Sequence, residues 1–466
     1  MAFIVADAKK LVDSGSPDAL GELRAFRGEI YGCLSRRADA LFELGDALLA
    51  ARPALSLPHL SLEPVFRRGW GMVYQGLAAG RVDADALRDV LVARRPADWP
   101  CVFGVDASTI PRPWAATSPG RQFHHASKGG RVGGDPVVAG WSWQWLSQLN
   151  FDADSWTAPQ DVVRVGPGDD PRRRACEQIA AHAGRLAAAG ETRIPLYAHD
   201  AGYDEAALTH DLGEHLDRLQ VLVRIRDDRV LYRDPAPREP GRPGRPRRHG
   251  KDRFECADPA TWGPPEGELT LHDDRYGKVE VKAWSGLHPK LFRRGRFAGF
   301  DQPPIIKATI IRVQVERLPG NRRALKAPLW LWWAGPGQPD LDLCWRAYLH
   351  RFDLEHTYRF AKTTLGWADP ALRHPDQFDR WTWIVITAIN QLRLARPIAT
   401  DRPRPWEQRR RPGRLTPGRV RRDFARLLPL IGTPASPPKP SRAGPGRPKG
   451  RHNLPAPRHD VIKRAA

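Results

Sequence analysis

The chain reads as an α/β protein with a helical segment in front of it and a basic tail behind. Three observations predict this. Apolar residues recur at helical spacing through the first hundred positions, as in LGELRAFRGEIYGCLSRRADALFELGDALLAARP. From about residue 100, short apolar runs alternate with amphipathic stretches. From 397 onward, Pro and Arg dominate and the apolar pattern ends.

With 466 residues the chain is longer than one ordinary domain and can bury a sizeable core. Residues 1–98 are assigned to an N-terminal helical domain, which either packs only or also contacts DNA. Residues 99–396 form the α/β part. PCVFGVDAST is a strand ending at Asp106, and VVAGWSWQWLSQL (137–149) is another. PRRRACEQIAAHAGRLAAAG (171–190) is a helix stopped by Gly. RIPLYAHDAGYDE is a strand ending at Asp200; a further helix and the strand QVLVRIR follow. Residues 234–250, rich in Pro, Gly and Arg, read as a flexible basic loop that opens a β-rich insertion over 234–335. Two long helices follow, about 341–366 and 376–395, and 397–466 reads as a disordered basic tail.

Lys and Arg number 74 against 53 Asp and Glu, a net charge of +21. Such a charge points to a polyanion, and Arg grips phosphate with its forked donors. A genome rich in G and C also inflates Arg, Ala, Pro and Gly. The five Cys are scattered with no CxxC pair, so neither a zinc ribbon nor a disulfide framework is indicated. The reading is a cytoplasmic protein: no signal peptide is visible and no apolar run reaches about 18 residues, so no membrane is implied. No phosphate-cradling GxxxxGK[ST] loop occurs, so no nucleotide cofactor is expected.

Asp106, Asp200 and Glu355 stand out by position. Acids at the carboxyl ends of strands can converge on one site. Two Asp and one Glu suit a hard divalent ion such as Mg²⁺ or Mn²⁺ that keeps positions open for water and phosphate. Singly, such an Asp is as readily a turn former or helix cap. Asp204 is a weaker alternative to Asp200, and Asp353 would project about 160° from Glu355 on a helix. Taken as one continuous helix, the stretch around Glu355 sets Tyr348, Arg351 and Lys362 with it in a stripe about 60° wide and about 21 Å long. That line suits a metal at the acid and phosphates at its neighbours, although a solvated charged face has similar spacing.

The spacing Tyr348-x2-Arg351-x3-Glu355-x6-Lys362 resembles the YREK signature of bacterial insertion-sequence DDE transposases of the cut-and-paste type. GVDAST (104–109) and YAHDAGYD (197–204) resemble that family's two Asp segments. The resemblance covers roughly 65–395. It implies an RNase H-like catalytic core, with the 154 residues between Asp200 and Glu355 holding a β-rich insertion. It implies catalytic metals on Asp106, Asp200 and Glu355, and DNA-phosphate contacts from Tyr348, Arg351 and Lys362. It implies double-stranded DNA partners, both element ends and target, and a homodimer on DNA. The function implied is cleavage at transposable-element ends and strand transfer. The alternatives are an RNase H-like nuclease without strand transfer and an inactive transposase-derived DNA binder. Some relatives stack a base on an aromatic residue of this region; here Trp284, Trp330, Trp332 and Trp333 are the candidates, with core packing as the simpler account. GRPGRPRR (241–248) and GPGRPKGR (444–451) resemble degenerate minor-groove arms, and His199 beside Asp200 is read as structural.

Overall fold

The computed structural model describes residues 17–51, 56–125, 137–237, 244–319, 327–411 and 413–440, with 446, 448–450 and 454–463. Both expected basic arms fall partly outside the described residues.

The N-terminal segment forms helices α1 (Pro17–Gly32), α2 (Ala38–Ala50), α3 (Leu57–Leu60), α4 (Gly71–Ala79) and α5 (Ala84–Ala93), with a two-stranded ribbon of β1 (Leu34–Arg36) and β2 (Arg81–Val82). Asp83 caps α5 by accepting from the Ala86 N–H at 3.0 Å. Helix α2 is apolar on nearly every side and is buried from Ala40 to Leu49.

The α/β part continues with strands β3 (Val102–Pro111), β4 (Gln122–His125), β5 (Val137–Leu149) and β6 (Thr157–Val165). Helix α6 (Pro171–Ala188), capped by Asp170 and started by Pro171, leads to β7 (Leu196–His199), α7 (Glu205–Asp211) and β8 (Gln220–Ile225). Strands β9 (Val230–Tyr232), β10 (Arg253–Glu255), β11 (Gly267–Asp273), β12 (Gly277–Pro289), β13 (Ala308–Val315) and β14 (Leu329–Ala334) follow. Helices α8 (Leu341–His350), α9 (Asp353–Thr363), α10 (Pro375–Ala395) and α11 (Pro417–Ile431) complete the chain.

Twelve strands share one mixed sheet, ordered β10-β9-β12-β13-β14-β8-β7-β3-β5-β4, with β6 also on β5 and β11 on β12. Among the described strands, β3–β7 and β7–β8 pair in parallel. The β-rich stretch therefore prolongs the central sheet: β14 pairs antiparallel with β8, Trp332 opposite Val223. Alternate residues of each strand face different cores, as the pleat requires. Val102 faces the larger core with α8–α11 and the N-terminal helices, while Phe103 and Val105 face the core under α6 and α7. On β14, Leu331 and Trp333 share the first core and Trp330 and Trp332 the second.

Two expectations are corrected here. The stretch 341–366 is not one helix, because it breaks at Arg351–Phe352. There Leu354 and Glu355 donate to Arg351 and Phe352, three residues back, and the turn is tightened. A buried His350–Asp353 pair at 3.0 Å spans the break. The tail from 397 is also not structureless throughout. Helix α11 buries Val420, Phe424, Leu427, Leu428 and Ile431 against the large core. Its apolar residues recur at helical spacing, but the dense Arg between them masks the pattern.

Arg27 of α1 ties these parts together. Its guanidinium, almost fully buried, forks onto Asp46 of α2 at 2.7 and 2.9 Å, and also donates to Gln391 of α10 and to the Gly432 carbonyl. Asp46→Ala is expected to destabilise the fold by about 3–5 kcal/mol, because Arg27 would keep a buried charge without its counter-ion; denaturant unfolding measures this. Strand β3 lies so close to α9 that a Cβ at Gly104 would sit 2.6 Å from Leu354 Cδ1. Gly104→Val is expected to cost about 1–3 kcal/mol, and Leu354→Ala in the same chain to return part of it; paired melting curves test this.

Candidate active site

Asp106 lies within β3 rather than at its end. Parallel pairing with β7 stops at Gly104–Ala198, so β3 runs on beside β5 alone and Asp106 sits just past the end of its parallel neighbour. Asp200 directly follows β7. The two acids thus occupy the carboxyl ends of adjacent parallel strands, where α/β sheets open a crevice. The Asp106 carboxylate accepts from its own neighbour Ala107 N–H at 2.8 Å and from Arg351 Nη1 at 3.0 Å.

Asp200 accepts from the Gly202 N–H at 2.9 Å, a turn that a side chain at 202 would crowd. Asp204 caps α7 by accepting from Ala207 N–H at 2.9 Å. It is therefore a helix cap. Tyr203 folds back and donates to Gln144 of β5 at 3.0 Å. His199 is fully buried edge-on against Tyr203, with neither ring nitrogen hydrogen-bonded, and burial pushes it down to about 3.

The break between α8 and α9 changes the expected stripe. Arg351, at the break, turns inward to Asp106 and lies 5.8 Å from the Tyr348 ring. Tyr348 is buried on α8. Glu355 is exposed in the first turn of α9. Lys362, at the far end of α9, donates to the Thr109 carbonyl of β3 at 3.0 Å, and burial lowers its pKa. Arg351 and Lys362 are thus bonded to β3 here. Asp353 is buried on His350.

Tyr358, which the sequence reading did not single out, donates to the Asp106 carbonyl at 2.9 Å and packs edge-on against Trp145. Its position three residues after Glu355 puts it on a neighbouring line of the same helix. Trp284, Trp330, Trp332 and Trp333 are all buried, and Trp284 and Trp330 cluster with Phe254 and Trp262. They fill the core of the sheet and present no face to a nucleobase.

Asp106 feels the two other acids. Burial raises the Asp106 pKa to about 6; Arg351 opposes the shift, and Asp200 and Glu355 reinforce it. Among the described residues no three His, Cys, Asp or Glu side chains are drawn together closely enough to hold a metal ion as they stand. The donor set nonetheless fits a hard divalent cation. Burial first, and two further carboxylates after it, keep Asp106 from ionising freely, and Arg351 supplies opposing positive charge.

Residues 29–290 match the family described as "DDE superfamily endonuclease". The chain belongs to the DDE superfamily endonucleases. The matched span of this DDE endonuclease holds Asp106 and Asp200 and ends before Glu355. No curated protein matches it. A solved structure titled "Cryo-EM structure of piggyBac transposase synaptic complex with hairpin DNA" is similar at a TM-score of 0.37 and 8% identity, over 81% of this chain and 72% of that one. So distant a likeness does not extend to mechanism.

Asp106 of the metal-free DDE endonuclease is expected to titrate near 6. Carbon-13 NMR of the labelled carboxyl measures it. Arg351→Gln raises this value by removing the stabilising cation, and Glu355→Gln lowers it by removing a competing anion.

Proposed function

We propose that this DDE endonuclease is a transposase that cuts DNA at the ends of a mobile element and joins those ends to target DNA. One observation carries the reading: Asp106 and Asp200 stand at the carboxyl ends of adjacent parallel strands, with Arg351 bonded to Asp106 and Glu355 on the helix packed against that strand. The strand order β6-β5-β3-β7-β8, three antiparallel and then two parallel, supports an RNase H-like core. The YREK spacing and the two Asp segments support kinship with bacterial insertion-sequence transposases.

Asp106, Asp200 and Glu355 would hold Mg²⁺ or Mn²⁺. Such an ion, when bound, offsets the charge that builds on the phosphate oxygens. The chain's own groups do the rest. Gly202 fixes the Asp200 carboxylate through its N–H. Tyr358 holds the Asp106 backbone against α9. Arg351 would exchange Asp106 for a DNA phosphate, with Tyr348 and Lys362 on the same strand. Water displaces the 3′-oxygen at the element end's phosphodiester and leaves a 3′-hydroxyl and a 5′-phosphate. That hydroxyl then displaces the 3′-oxygen of a target phosphodiester, so one P–O bond forms as one breaks. The reading includes an N-terminal helical unit over 1–98, a catalytic unit over 99–396, paired action of two copies on DNA and a cytoplasmic, nucleoid-associated location. No described helix is long and apolar enough to cross a membrane.

The test incubates purified protein with Mg²⁺ and DNA carrying its element's own ends, beside Glu355→Gln. Wild type is expected to cut and join. The variant is expected to lose at least as much activity as the roughly 10–100-fold that removal of a mere supporting group costs a metal site. Cutting without joined products would leave a nuclease. Binding without cutting in either protein would leave a transposase-derived DNA binder.

A further inference from the structure

The segment between α10 and α11 was expected to lack structure, yet it is built as a braced loop. Residues 401–423 carry nine Arg and only three acids. All three acids are spent within the segment, Asp401 and Asp423 as buried carboxylates. Asp401 takes the Arg419 guanidinium at 2.8 Å and the Arg410 N–H at 2.6 Å. Glu407 takes Arg422 at 2.7 Å and the Arg404 N–H at 2.9 Å. Asp423 takes Arg402 at 2.5 Å and the Thr400 N–H at 2.8 Å.

This bracing leaves one kind of group outside. Arg404, Arg409, Arg410, Arg411 and Arg414 are all exposed, and no ion pair is recorded for them among the described residues. Trp406 stands among them with 76% of its surface in solvent and the Arg404 guanidinium 5.7 Å from its ring. A loop that only had to be soluble would not need three ion-pair anchors, two of them on buried carboxylates, to hold five unpaired guanidinium groups together. Gathering like charges costs Coulomb energy, which a polyanion returns on binding.

The segment packs against the helix that carries Glu355. Its Leu415 carbonyl accepts from Trp156 Nε1 at 2.8 Å, and the next residue, Thr157, shares a 2.8 Å hydroxyl bond with Thr357 of α9. Gly418 lies against Phe360 of the same helix. Phe360 is five residues from Glu355, about 7.5 Å along the axis and about 140° round it, so the segment meets α9 on the side turned away from Glu355.

Resting on the reading that this protein works on DNA, we propose that loop 401–414 is a second DNA-binding surface, which grips the phosphate backbone of duplex DNA away from the Glu355 face of α9. Arg404, Arg409, Arg410, Arg411 and Arg414 neutralise phosphates without reading sequence, and Trp406 adds an apolar contact to the deoxyribose.

The test measures duplex affinity of the full chain across salt concentrations. Each phosphate contact contributes about 0.9 to the slope of log affinity against log salt. Changing Arg409, Arg410 and Arg411 together to Gln is expected to lower that slope by about 2–3 and to weaken binding alike for related and unrelated sequences. The corresponding triple change to Lys is expected to keep the slope, which separates lost charge from misfolding. Removing the same charge elsewhere, with Arg173, Lys278 and Lys282 to Gln, is expected to leave it nearly unaltered. An unchanged slope in the loop variant, or an equal fall in the control, overturns the proposal while the transposase reading stands. If the wild type itself binds no duplex at low salt, both fail.

Discussion

The seam between β3 and α9 is the constraint on which the rest of the molecule depends. Three polar bonds and one close packing make it: Arg351 to the Asp106 carboxylate, Tyr358 to the Asp106 carbonyl, Lys362 to the Thr109 carbonyl, and Gly104 against Leu354. The first two acids belong to strands that the sheet holds rigidly. The third sits on a helix that arrives some 150 residues later, after seven more described strands. Without this seam Glu355 would have no fixed relation to Asp106. The seam in turn demands glycine at 104, a bend before Asp353 and a carbonyl at 109 that no neighbouring strand uses.

The same seam shows how much of the site was legible beforehand. The two Asp segments were readable because each follows a short apolar run, and Glu355 because of its spacing to Tyr348, Arg351 and Lys362. Strand β5 announced itself as a β-branched and aromatic run, and the stretch 234–335 as rich in strands. The helix break did not, because its cause is tertiary: Arg351 is pulled toward Asp106, and the buried His350–Asp353 pair holds the tight turn. Tyr358 carried no mark distinguishing it from any other aromatic on a helix. Periodicity cannot tell a Trp facing solvent from one facing a second core, so the fate of Trp330 and Trp332 waited for knowledge that both sheet faces are covered. The merging of the β-rich insertion into the central sheet was hidden for the same reason, since pairing partners lie about a hundred residues apart.

Arginine content was the least specific sequence signal. Arg27, Arg112, Arg121, Arg419 and Arg421 are buried and bond to carboxylates or backbone carbonyls. They act as internal ties, a role suited to a planar group with five donors. The net charge is therefore not spread evenly over a polyanion-binding face. It depends on which guanidinium groups the acids leave outside, and that is decided by folding rather than composition.

Arg27 also fixes an order of events. Its partners are Asp46, Gln391 and the carbonyl of Gly432, the last 405 positions away along the chain. During synthesis the first helices emerge long before the residues that complete their core exist. Contacts of such separation must wait for loop closure and slow the final step. The N-terminal helices therefore spend most of translation with a charged guanidinium and an apolar face uncovered, and only the arrival of α10 and α11 seals them.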